Sequence, residues 1–398
     1  MSDWETKNLG DLLDRPLAYG VLKPGPYEEG GIPLVRIQDH KDGEIKSNSL
    51  HKIPIALHHE FKRTELRDGD IIISVVGTIG RTAIIPKHLT GANVSRAFAV
   101  IGCSDEIDKH FLDQYLKSDI SQSWFKEQCQ GNAQQVLNLG TLREYPVPIP
   151  PLPEQKKIAE ILSGIDRCIA QVKLRIQKQN LINESLLSGI EDLRGDEIAR
   201  CEAIIGDIAS KVGSGITPRG GSDTYESEGI TFIRSQNVLK MRLSLDDAVK
   251  IPQHIHASMS GTRVQPNDVL LNITGASIGR AAVAPDGIGE ANVNQHVCII
   301  RTKETCDPLF LCGWLNSESG QIAINSSQAG GNRQGLNFEQ IRAMSIPLPP
   351  IHLQKQISAA LQASNSLIQL MQGKLDWLLN TKNALSSDLL SGRKRVSI

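Results

Sequence analysis

Histidines, cysteines and paired acids are the side chains best suited to making and breaking bonds, and in this chain their spacing argues against it. Ten histidines include no HExxH pair, and seven cysteines include no CxxC. His58 and His59 in the first half correspond to His254 and His256 in the second. Without metal-ligand spacing they read as structural or surface groups rather than a metal pair. Asp70 follows Gly69 and Asp268 follows Asn267, each just before an apolar run, where turn residues sit more often than general acids or bases. Lys374 follows Gly373, but no GxxxxGK loop closed by Ser or Thr exists. Gly213, Gly215, Gly220 and Gly221 lie in a polar stretch, not at a strand-to-helix turn. No Asn-Pro-Pro or Asp-Pro-Pro precedes a Tyr or Phe, the tetrapeptide an amino-methyltransferase requires. What recurs instead is Arg, Asn and Gln at matching places in the two halves, groups that hydrogen-bond rather than react. No catalytic, metal-binding or cofactor-binding constellation emerges from these spacings.

Those recurring residues sit inside a tandem repeat. GIPLVRIQD (Gly31 to Asp39) matches GITFIRSQN (Gly229 to Asn237) at an offset of 198 residues. LRDGDIIISVVGTIGRTAIIP (from Leu66) matches VQPNDVLLNITGASIGRAAVAP (from Val264), where one inserted residue moves the offset to 199. GANVSRAFAVI (from Gly91) then matches EANVNQHVCII (from Glu290). LNLGTLREYPVPIPPLPEQKKI (from Leu137) matches LNFEQIRAMSIPLPPIHLQKQI (from Leu336). The molecule is two copies of one unit.

Each copy divides at a proline run, Tyr145 to Pro153 and Ile346 to Pro350, extended chain that suits a helix start. Before the prolines, β-like runs (Ile71 to Val76, Thr82 to Ile85, Ala97 to Ile101 and their copies) alternate with turn residues. Lys109 to Gln128 is the clearest helix. This predicts an α+β fold with mixed or antiparallel sheet. After the prolines the period becomes 3.5 residues, a coiled-coil seam. Steps of four and three give Ile158, Leu162, Ile165, Ile169, Val172, Ile176, Gln179, Asn183, Leu186, and then Ile357, Leu361, Ser364, Ile368, Met371, Leu375, Leu378, Lys382, Leu385, Leu389. Both helices end on LLSG, with Gly189 and Gly392 as stops. The alternative is two unrelated amphipathic helices, each packed on its own domain. The expected division is residues 1–150 and 194–350 as globular domains, with helices at 151–193 and 351–398. A helix of about 36 residues spans ~54 Å. Antiparallel pairing would put one domain at each end of a rod with pseudo-two-fold symmetry, long enough to bridge two half-sites ~34 Å apart on DNA.

Composition sets the outer bounds. The 398 residues are 40% hydrophobic, 22% charged and 4% aromatic, which excludes collagen, a mucin-like stalk and wholesale disorder. No apolar run approaches the ~20 residues of a transmembrane helix. The N-terminus MSDWETKNLG lacks the apolar core of a secretory signal, and the unpaired cysteines fit a reduced, cytoplasmic protein. Net charge is −1, and each globular half carries three more acids than bases, so any nucleic-acid contact must use locally placed cations.

The whole chain resembles the specificity subunit of type I restriction-modification systems. The resemblance rests on the duplicated halves, the DGDIIISVVGTIGR and NDVLLNITGASIGR blocks, the LNLGTLREYPVPIPPLPEQKKIAEIL passage into a long helix, and the LLSG endings. The second copy departs from it with IHLQKQI in place of LPEQKKI. The resemblance implies two target recognition domains, each reading one half of a bipartite, asymmetric double-stranded DNA sequence, with the helices setting the gap. It implies docking of two methyltransferase subunits and, in the full complex, two restriction subunits. S-adenosylmethionine, ATP and Mg would be bound by those partners. The competing reading is a coiled-coil scaffold that assembles DNA enzymes without reading bases itself.

Base readout needs Arg, Asn, Gln or Ser at groove-facing loops. The candidates are Arg36 and Gln38 with their copies Arg234, Gln236 and Asn237; Arg81 and Arg280 after the glycine turns; and Ser95 and Arg96, which become Asn294 and Gln295. To these are added Gln134 and Gln135, Arg333 and Gln334, and Lys211, Thr217 and Arg219 in the loop opening the second copy, whose counterpart is Tyr19 to Lys23. For each one the alternative is a solvated polar loop.

Overall fold

The run Ile71-Ile72-Ile73 shows how the domains are built. Ile71 and Ile73 enter one core with Leu9, Leu12 and Phe111, while Ile72 enters a second with Val35, Phe98 and Val100. The strand is buried on both faces, so it is continuously apolar rather than alternating. In the computed structural model, which describes residues 4–41, 43–129, 135–192, 202–218, 220–328 and 335–397, this strand (Ile71–Ser74) is the centre of an antiparallel sheet between Thr82–Ile84 and Phe98–Ile101. A second sheet centres on Ile32–Val35, antiparallel to His51–Ile53 and parallel to Asn93–Val94. The second copy repeats both. Val269–Asn272 lies between Ala281–Val283 and Val297–Thr302, and Ile230–Ile233 is antiparallel to Val249–Ile251 and parallel to Ala291–Val293. Here Ala209–Ser214 adds a fourth strand beside Val297–Thr302.

Two expectations are corrected. The helix expected over Lys109 to Gln128 is two helices, Lys109–Lys117 and Asp119–Gln128. Ser118 between them is extended (φ −67°, ψ 156°), and its hydroxyl accepts the Ser121 N–H as the cap of the second. Gly189 does not stop its helix, which continues to Asp192. Gly392 does follow the end of the other helix, Ile351–Leu390, and carries a positive φ of 69°. The proline run Pro146–Ile149 is itself a strand, antiparallel to Glu5–Asn8. It tolerates prolines because it is the edge of a two-stranded pair.

The chain divides into two compact units, Met1–Val172 with Lys374–Ile398, and Lys173–Gly373. Each contains half of each long helix. Every apolar seam position is buried or half-buried, from Ile158 to Leu186 and from Ile357 to Leu389. In the first unit Ile158 and Leu162 share a core with Leu385 and Leu389, so the helices run antiparallel there. In the second, Leu186 and Leu187 share a core with Ile357 and Leu361. The polar seam residues Gln179, Asn183, Ser364 and Lys382 find polar partners across the helix pair. Lys382 Nζ donates to Asp166 Oδ1 at 2.6 Å in the first unit. In the second, Asn183 donates to Asn365 Oδ1 and Gln179 to Ser364 Oγ, both at 3.0 Å. Asp166 and Lys382 are the repeat equivalents of Asn365 and Asn183, so one contact is an ion pair in one copy and an amide pair in the other. After Gly392, Arg395 returns to the start of the first long helix (Leu152–Asp192). There it grips the buried Glu154 with two 2.6 Å bonds and lies 5.5 Å from the Trp4 ring. That guanidinium holds the Glu154 carboxyl below its ordinary pKa.

Candidate nucleic-acid interface

The parallel strands Ile32–Val35 and Asn93–Val94 end side by side, and backbone bonds tie further loops to that end. In the first unit Ser95 N–H donates to Val35 O (2.9 Å), Arg96 N–H to Val21 O (2.9 Å) and Val75 N–H to Ala97 O (2.8 Å). Gly77 N–H donates to Gln135 O (3.0 Å) and Ser74 N–H to Arg81 O (2.9 Å). Arg36, Ser95, Arg96, Arg81 and Gln135 are therefore brought to one rim. The second unit repeats the wiring. Asn294 N–H donates to Ile233 O (3.0 Å), Ile273 N–H to His296 O (3.0 Å) and Asn272 N–H to Arg280 O (2.9 Å), and Thr274 bridges Gly335. This gathers Arg234, Asn294, Gln295 and Arg280.

Buried polar groups fix the rim from below. Asn93 and Asn292 are fully buried beneath it, the first accepting from Thr64 (2.7 Å) and the second donating to Thr262 (2.7 Å). His58 and His256 complete these clusters, so one of the recurring histidines in each copy anchors the rim while His59 and His254 are exposed. The glycine turns are clamped as well. Gln122 donates to Gly80 O (3.0 Å) and Leu116 O (2.7 Å), and Gln321 donates to Gly279 O (3.0 Å) and Leu315 O (2.6 Å). Gly80 and Gly279 carry φ of 80° and 86°, a conformation glycine takes without strain. The exposed Arg81 and Arg280 thus stand on rigid turns. Asp70 and Asp268 are turn residues, accepting the Arg67 and Gln265 N–H groups (2.6 and 2.7 Å) while paired with Arg15 and Arg301. Among the described residues, no group of three or more His, Cys, Asp or Glu is placed to hold a metal, and no helix is long and apolar enough to cross a membrane.

One exposed position of the rim differs between copies. Arg96 and Gln295 are both exposed at the same repeat position. Gln295 belongs to a polar chain: Thr217 hydroxyl bonds its Oε1, its Nε2 meets His296 Nε2 at 2.9 Å, and His296 Nδ1 meets Thr274. Gln38 and Gln236 are exposed on matching turns. Gln236 lies 3.3 Å from Asp247. Arg36 is half-buried beside Asp39, and Arg234 lies 5.5 Å over the Tyr225 ring.

Three expected contacts are not at the surface of this rim. Asn237 is fully buried, accepting the Arg234 N–H (3.0 Å) and donating to Asp247 (3.0 Å). Asn294 is buried and caps the His296 N–H (3.1 Å). Lys211 lies on the strand Ala209–Ser214 opposite Arg301, donating to Gly261 O at 2.7 Å, and burial lowers its pKa. Gln134, Arg219, Arg333 and Gln334 lie outside the described residues.

Residues 1–181 and 204–380 each match the family model of the type I restriction modification DNA specificity domain. The chain belongs to that family. Over 215 residues it is 32% identical to the type I restriction enzyme EcoBI specificity subunit of Escherichia coli, covering 52% of this chain and 45% of that subunit, so the chain matches less than half that relative's length. The putative type I restriction enzyme MjaX specificity subunit of Methanocaldococcus jannaschii is 23% identical and matches along 99% of this chain and 94% of its own length. A solved type I specificity subunit from M. genitalium shares the fold, with a TM-score of 0.67 at 15% identity over 98% and 96% of the two chains.

Within this specificity fold, reading polar residues alone passed over two neighbours of the rim. Leu22 and Ile216 stand exposed beside Arg96 and Gln295, in segments the repeat had already aligned. The signal was the pairing of Gly20 with Gly215. A Cβ on either would strike the carbonyl oxygens of Val94 or Val293, so each loop is held close by a missing side chain.

Proposed function

We propose that each domain reads one half of a bipartite, asymmetric double-stranded DNA target through this rim, and that the paired helices set the gap between the halves. The observation carrying this reading is one frame built twice with different exposed groups at an equivalent position, Arg96 in one copy and Gln295 in the other. Arg is suited to guanine O6 and N7, Gln to adenine N6 and N7. Arg81 and Arg280 supply the locally placed cations that a near-neutral chain needs for phosphate contact. The subunit is non-catalytic and works beside two methyltransferase subunits and, in a complete complex, two restriction subunits. Those partners bind S-adenosylmethionine, ATP and Mg. Exposed Leu174, Leu181, Leu367 and Leu370 on the helices of the second unit offer an apolar face for the methyltransferase.

The test is competition binding by the chain assembled with its methyltransferase, on the duplex defined by mapping N6-methyladenine in cells. Arg96→Ala should cost ~1–3 kcal/mol and relax base preference in one half only. Gln295→Ala should do the same in the other half. Equal weakening on unrelated duplexes would mean these side chains touch phosphate.

A further inference from the structure

The rim carries an aliphatic as well as a polar group. Leu22 is 57% exposed and Ile216 56%. A single exposed aliphatic is ordinary on a protein surface. Here the placement recurs at the same functional corner. Arg96 N–H donates to Val21 O at 2.9 Å and Val21 N–H to Val94 O at 2.7 Å, so Leu22 leaves the backbone directly beside the Arg96 segment. Gly215 N–H donates to Asn294 O at 3.0 Å and the Thr217 hydroxyl bonds Gln295, so Ile216 is pinned between two ties to the Gln295 segment. The spacing is not identical, since Ile216 lies one residue past its glycine and Leu22 two past its own. Both copies nonetheless hold a large aliphatic in water next to the exposed hydrogen-bonding group.

We infer that Leu22 and Ile216 are base-reading residues, each packing on the C5-methyl of a thymine adjacent to the base pair that Arg96 or Gln295 reads. This rests on the DNA-reading function proposed above. The thymine methyl is the apolar group that the major-groove base edges present, and an aliphatic side chain distinguishes it where a hydrogen-bonding side chain does not. Covering one methyl is worth about a fourfold change in affinity. A wedge inserted between base steps would use the same side chains but would not depend on the methyl.

Uracil in place of thymine removes that methyl and keeps every hydrogen bond. The experiment uses the full chain with its methyltransferase partner and the mapped bipartite duplex, with single thymines replaced by uracil in each half. The wild-type complex should lose about fourfold affinity at one thymine in each half. Leu22→Ala should lose that sensitivity in one half and keep it in the other, and Ile216→Ala should show the reverse pattern. Each alanine variant on its uracil duplex should bind no worse than with either change alone. A half-site without thymine, a wild-type complex indifferent to every uracil, or an alanine variant that weakens thymine and uracil duplexes equally would overturn the inference while leaving half-site reading intact. A wild-type complex with no preference for the mapped duplex over a scrambled one would overturn the reading beneath it as well.

Discussion

Arg96 and Gln295 sit at one position of a duplicated frame and differ in what they can hydrogen-bond. The frame makes that difference usable, because the backbone beneath them is fixed by buried Asn93 and Asn292. Gly215 is part of the fixing. Gly215→Ala would drive a methyl into the Val293 carbonyl, and backbone cannot give way as a flexible side chain can. The expected result is a loss of ~1–3 kcal/mol in thermal or denaturant unfolding, together with loss of base preference in the half that the second domain is proposed to read. Glu154 offers a second test. Arg395 holds its pKa below the ordinary 4.5, so the ionised form is the one the fold favours. Its contribution is present above the unfolded value and is lost as pH falls through the folded one. Acid unfolding of the wild type should therefore steepen below about pH 4.5, and Glu154→Gln should flatten that slope.

The long helices were legible from sequence because a 3.5-residue period is a local property, and every apolar position it marked is covered. The three strands of the Ile71–Ser74 sheet were legible as short apolar runs, whereas those of the Ile32–Val35 sheet and the proline-run strand were not, because they are short and their pairing is long-range. The break at Ser118 was not, since a serine between two helical stretches becomes a cap only when packing turns the chain there. The rim was legible as repeat blocks but not residue by residue. Asn237 and Asn294 have the right chemistry for readout, and only the folded turns show that they spend it on backbone and side-chain partners. Leu361 is fully buried in the seam, and Leu361→Ala should cost ~2–5 kcal/mol in unfolding. The partly exposed Asp166–Lys382 pair should contribute less, ~0.2–1 kcal/mol, falling with added salt. Asp166→Lys should cost more than Asp166→Asn, and Lys382→Asp added to it should restore stability. A double-mutant cycle read by chemical denaturation measures the coupling.

For the molecule as a whole, the proposed spacer role predicts a dependence on helix length. Gln179 lies opposite Ser364, so inserting one heptad beside each lengthens both helices by ~10 Å at the same level while keeping the seam in phase. The preferred gap between half-sites should lengthen, as read by selection from duplexes with randomised spacers. An unchanged gap would show that the helices do not measure it. The polar pairs between the helices also bias which helix lies beside which. If the first long helix met a copy of itself in this register, Asp166 would face the Asn183 of a second molecule, a carboxylate deprived of its cation. If the second met its own copy, Lys382 would face an amide. Mixed pairing alone satisfies all four groups, whether the two helices come from one chain or from two, so these contacts favour a first helix beside a second over either one beside its own copy.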